Sequence, residues 1–207
     1  MPRAEKDWLC KAVIIALMIA AAVGCRIVDR FSATSTPLGW IRTYIYIGLF
    51  CWWGASIRRR VLQSQVRRFL LQIVCLMVFW MVMRSIKFYF AVTPAFRRGL
   101  WYSYYIPMLM IPTLSFLIAA SLGKPEHYRL PGWSAVVYGI TSALMLLVLS
   151  NDCHQRVFFF PQGMEGADRN YGYAALYWPV VAWEMGLALS LIHIFVPQGA
   201  RRIFVRG

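Results

Sequence analysis

The sequence is poor in charge: Asp and Glu together number 8 in 207 residues, His numbers 3, and charged residues of both signs make up 14%. A soluble domain carries nearer a quarter charged residues. So few carboxylates and imidazoles leave little from which to build clustered acid–base groups, so no catalytic residue is expected and the chain is read as not being an enzyme. Cysteine is scarce too, with Cys10, Cys25, Cys51, Cys75 and Cys153 making 5 in all. The number is odd and no two form a CxxC pair, so zinc-type spacing is missing, and neither a metal nor a cofactor is expected. Period-2 alternation is lacking as well, which argues against a membrane β-barrel. No internal repeat or low-complexity segment is visible.

What the chain has instead is apolar length. Hydrophobic residues reach 60% and the mean hydropathy is +0.56. A bilayer-crossing helix needs roughly 20 mostly apolar residues. Six runs approach that length: Trp8 to Val28, Trp40 to Ile57, Phe69 to Phe90, Trp101 to Leu122, Trp133 to Ser150 and Tyr171 to Val196. Hydrocarbon offers no water to satisfy backbone groups, so continuous apolar runs must be helices. The expected fold is therefore all-α: one integral membrane domain over residues 1–207, a polytopic bundle with helices at about 8–28, 40–57, 69–90, 101–122, 133–150 and 171–196. Lys11 shortens the first run, and Glu5 and Asp7 precede it, which favours an uncleaved first helix over a removed signal peptide.

The net charge of +14 is dispersed among the ends of these runs. Basic residues so placed anchor helices at anionic headgroups, so membrane lipids are the expected partner and nucleic acid is not. An inside N-terminus puts thirteen of the 22 Lys and Arg residues on the cytoplasmic side, including Arg58, Arg59, Arg60, Arg67 and Arg68 in one short loop. Short, dense basic loops weigh most in orientation, so both termini are expected in the cytoplasm.

On the outer side several side chains stand out. Trp80, Arg84 and Lys87 share one helix face, and a charge there snorkels to headgroups or forms a pocket wall. Glu184 lies mid-way along the sixth run. An intramembrane carboxylate costs roughly 3 kcal/mol unless it is paired, so it is a candidate by default, with Arg84 at similar depth as partner. The alternative is a structural ion pair or a protonated acid between helices. Asn151, Asp152 and His154 end the fifth run, just before Phe158-Phe159-Phe160. They either cap that helix and seat the phenylalanine loop, or close a pocket lined by Tyr104, Tyr105, Arg84 and Trp178. A histidine in such a pocket would let outer pH bias the bundle.

Three stretches are similar to a known family. Trp101-Tyr102-Ser103-Tyr104-Tyr105-Ile106-Pro107 gives an aromatic helix start followed by proline. Ser150-Asn151-Asp152-Cys153-His154-Gln155 is similar to a T-N-D-L-H-Q signature, with Ser150 for Thr and Cys153 for Leu. Tyr171-Gly172-Tyr173 then leads into a Trp-bearing helix. Together they resemble the N-terminal seven-helix membrane region of bacterial sensor histidine kinases, over about residues 39–196. The chain departs from that pattern in having an additional run before the match, two helices fewer after it, and no kinase domain among these residues.

The resemblance implies a multi-pass protein of the bacterial cytoplasmic membrane that senses a small ligand or a proton from outside. Its implied partners are a signalling protein or a second copy of the chain. The rival expectation is a small transporter or channel component, in which Glu184, Arg84 and Asp152 handle ions; a structural subunit of a membrane complex is the plainest alternative.

Overall fold

A computed structural model describes residues 38–90, 93–122, 124–125, 128, 130–163 and 170–204, together with Ala20 and Val23. Apart from those two residues, the expected first helix at 8–28 lies outside the described residues, as do the last three residues. The chain divides into two units, Met1–Ser56 and Ile57–Gly207.

The described residues are mostly helical. Helix α1 is Leu38–Arg60, with Arg58, Arg59 and Arg60 in its last turn, where positive charge complements the helix dipole. In the second unit follow α2 (Ser64–Tyr89), α3 (Pro94–Tyr102), α4 (Tyr105–Ser121), α5 (Trp133–Leu149), the single turn α6 (Asn151–His154) and α7 (Tyr177–Phe204). Strands β1 (Phe158–Phe159) and β2 (Gly172–Tyr173) pair antiparallel between α6 and α7.

Among the described residues, three helices are long and apolar enough to cross a membrane: Ser64–Tyr89, the combined α3–α4 stretch Pro94–Ser121, and Tyr177–Ile194. Trp133–Leu149 is a shorter apolar helix. The second expected run forms its helix, α1, but is not among the three. Arg42, Tyr44, Tyr46, Trp52 and Trp53 dilute its apolar character.

Helix α4 is the hub, packing against α2, α5 and α7. From α2 it receives a stripe of Phe69 and Ile73, which meet Leu114 and Leu117 in one apolar cluster. Phe69 and Ile73 stand one turn apart on the same helix face, as an amphipathic stripe requires. At the same depth as Thr113 the contacts turn polar. Thr113 Oγ1 lies 2.8 Å from Thr141 Oγ1 on α5, and Trp183 Nε1 of α7 donates to Thr141 at 3.1 Å. Hydroxyl and indole groups that find each other across helices avoid the cost of meeting hydrocarbon alone.

The fourth expected run differs in two ways from the single helix expected at 101–122. Its helix begins earlier, at Pro94, where Thr93 caps the first turn by accepting from the Phe96 N–H and proline occupies the favoured first position. Arg97 and Arg98, which lie between the third and fourth expected runs, thus belong to a helix. The helix then breaks at Ser103-Tyr104. Pro107 explains the break: it has no N–H for the Ser103 carbonyl, and its ring crowds that carbonyl. The sixth run also changes, because its first residues form β2 and the helix starts only at Tyr177. The two short strands are the one departure from all-α among the described residues.

Candidate functional site

Helices α2 and α5 end, and α3 and α7 begin, at one end of the second unit. There the backbone turns sharply after α6, where Gln155 adopts a left-handed conformation with φ of 48°. The chain then runs through Val157 and β1, and Phe158 is 0% exposed. Rings of Trp101, Tyr102, Tyr105, Tyr171, Tyr173 and Tyr177 surround it, with centroids between 4.8 and 6.3 Å away. The returning strand closes over this core. Ala174 N–H donates to the Val157 carbonyl and Leu176 N–H to that of Arg156. The Phe159 ring lies over Gly172, in the space a side chain at that position would take.

Asn151 organises this turn. It is 0% exposed. Its Oδ1 accepts from the N–H groups of Val157 and Phe158, both at 3.0 Å, and its Nδ2 donates to the Phe158 carbonyl at 3.0 Å and to Tyr102 Oη at 3.1 Å. One amide thereby satisfies three backbone groups that the irregular turn leaves without helical or strand partners.

Asp152, the next residue, points to α3. Arg98 Nε donates to both carboxylate oxygens at 2.8 Å, its terminal nitrogen to Oδ2 at 2.7 Å, and Tyr102 Oη donates to Oδ1 at 2.7 Å. These are the short lengths of charge-assisted bonds. Arg98 is 8% exposed at its side chain and Asp152 39%, so the pair has one dry and one wet member. Partial burial disfavours the Asp152 carboxylate, but the bonds from Arg98 and Tyr102 outweigh it and hold the carboxyl below its ordinary range. Arg98 and Tyr102 stand four residues apart on α3, one turn, which lets both reach the same carboxylate.

His154 completes the clasp. The Arg156 N–H donates to Nδ1 at 3.0 Å, so Nδ1 is the acceptor and the proton sits on Nε2, 3.1 Å from the Leu147 carbonyl at the end of α5. The imidazole thus ties the helix terminus to the turn that follows it.

Of the residues singled out from sequence, Asn151, Asp152, His154 and Tyr105 meet at this end. The others take different positions. Trp178 is 63% exposed and touches the cluster only edge-on through Tyr177. Arg84 is exposed, its guanidinium 5.9 Å from the Phe88 ring, and no ion pair joins it to Glu184 among the described residues. Lys87, one turn on, is buried, with Nζ 5.7 Å from the Tyr104 ring. Glu184 lies deeper along α7, where its Oε1 is buried and has no hydrogen-bond partner among the described residues.

Sequence reasoning missed Arg98 and Tyr102, which hold the clasp from α3. The signal was their four-residue spacing before an aromatic helix start, readable once Pro94 is taken as a helix start. Among the described residues no three His, Cys, Asp or Glu side chains gather as a metal would need. No protein-family model, curated protein or solved structure matches this chain.

Proposed function

We propose that this chain is a sensing module of the bacterial cytoplasmic membrane, related in design to the seven-helix sensor region of histidine kinases. In this reading it crosses six times with both termini in the cytoplasm, and the clasp faces outside. The stimulus is a small ligand or a proton, received where Asn151, Asp152 and His154 join α5, α3 and the β-hairpin. A signalling protein or a second copy of the chain carries the output.

The observation that carries this reading is the Asn-Asp-x-His-Gln segment itself. The residues of the family-like motif are those that bind two helices and a loop at one place, so a change there is transmitted to helix ends. A proton added to His154 Nδ1 would replace an acceptor by a donor facing the Arg156 N–H, opposing the turn at Gln155. The charged groups around that event are Asp152, Arg98 and Arg156. The rival reading, a transporter component, draws its support from Glu184 rather than from the clasp.

The test is transcript profiling of host cells at two external pH values, with wild-type protein, Asp152→Asn and His154→Ala expressed at equal level. Sensing gives a set of transcripts that follow pH with wild type and are lost in both variants. Identical profiles for all three would end the reading. The topology is tested by cysteine labelling in intact cells: Ser64→Cys and Phe204→Cys should stay unlabelled by an impermeant reagent, and labelling of either overturns it.

A further inference from the structure

The second acidic side chain of interest sits in a different setting. On α7, Val180, Glu184 and Leu187 fall on one face, at spacings of four and three. Val180 is 1% exposed and Leu187 5%, so this face is turned into the protein. Trp183, beside Glu184, is anchored by its bond to Thr141, which in turn meets Thr113. Glu184 is therefore held at mid-bundle depth, next to a polar node joining α4, α5 and α7. There Oε1 is buried without a hydrogen-bond donor among the described residues.

The two helices that meet α7 at this node, α4 and α5, supply no positive charge. α4 contains Tyr105 as its one ionisable side chain and α5 contains Tyr138; neither contains Lys, Arg or His. Tyr105 and Tyr177 are near enough to interact electrostatically with Glu184, and both are neutral phenols at ordinary pH. Arg84, the expected counter-charge, stands over Phe88 on α2. A bare carboxylate with a dry, unpartnered oxygen and no cation beside it is the costliest form this side chain can take. The same carboxyl with a proton is an ordinary polar group that can donate to a carbonyl.

We propose that Glu184 carries its proton at neutral pH and is an intramembrane proton-binding site, distinct from the clasp. This does not rest on the sensor reading, since the chemistry follows from the setting of the carboxyl alone.

The test is an infrared difference spectrum of the purified full chain in lipid at neutral pH, wild type minus Glu184→Gln. The substitution keeps size and hydrogen-bonding capacity. Expected is a protonated carboxylic C=O band present in wild type, shifted in D2O and lost in the variant. A carboxylate stretch in its place, with no protonated band, overturns the proposal. If Glu184→Gln fails to fold, wild type labelled with ¹³C-glutamate answers the same question. A ¹³C-shifted protonated band at neutral pH supports the site, and only carboxylate bands from the labelled glutamates refute it. Loss of pH-dependent transcripts in the clasp variants would leave this spectrum unchanged, so the two readings fail separately.

Discussion

Asp152 and Glu184 are both rare acids in an apolar chain, and they meet opposite environments. Asp152 receives four donor contacts from Arg98 and Tyr102 and keeps a wet edge. Glu184 has a dry oxygen with no donor among the described residues. The difference does not lie in the acids or in their helices. It lies in what the packed neighbours offer at that depth: α3 presents an arginine and a tyrosine one turn apart, whereas α4 and α5 present threonines and aliphatic side chains. An acid in a membrane helix is thus defined by the helices beside it. Its rarity marks it as a candidate and leaves its state open.

Breaking the satisfied side should cost most at Asn151. Asn151→Leu strips the bonds from two backbone N–H groups and one carbonyl in a buried turn. Each orphaned group costs about 1–3 kcal/mol, so a loss of about 3 kcal/mol or more is expected. Thermal unfolding in detergent reads it; a melting point equal to wild type would mean the turn holds without the amide. Asp152→Asn comes next. The carboxylate is partly exposed, so screening reduces the effect to about 1 kcal/mol.

Acidification should mimic that substitution. The folded-state carboxyl sits below its ordinary value of 3.8. Its contribution is therefore present at neutral pH and is lost as pH falls below that ordinary value and through the folded one. The stability–pH curve of Asp152→Asn should lack this acid limb, and an unchanged limb would assign it to another group.

A smaller effect is expected at the polar node beside Glu184. Thr141→Val removes the acceptor of Trp183 and the contact with Thr113, at about 0.6 kcal/mol, the average for interhelical hydrogen bonds in membranes. A shift in tryptophan emission should accompany it; its absence would show that Trp183 finds another partner. Smallest is Gly172→Ala. The added methyl meets the outer end of the Phe159 ring, and that side chain is 44% exposed and free to swing away. A change under about 0.5 kcal/mol is expected by thermal unfolding, and a larger one would mean that Phe159 is fixed in place.

How far the sequence could be read follows the same contrast. Continuous apolar runs are a one-dimensional signal, so α2 and α5 stand close to where the runs put them. The break at Ser103-Tyr104 was legible too, through Pro107, had its effect on the carbonyl four residues back been weighed. Asn151 and Asp152 announced themselves as polar residues at a helix end. Their partners did not, because Arg98 looks like any interfacial arginine until α3 is placed against the end of α5. Arg84 was the natural partner for Glu184 by depth alone. Depth does not fix azimuth, and the guanidinium turns to Phe88 instead.

The clasp is tested most directly by a double-mutant cycle in thermal unfolding, using Arg98→Gln, Asp152→Asn and the pair together. The two side chains share three hydrogen bonds. Removing either should therefore cost most of what removing both costs, with a coupling of about 1 kcal/mol or more. Additive losses, within about 0.5 kcal/mol, would contradict the clasp as the tie between α3 and the turn after α5.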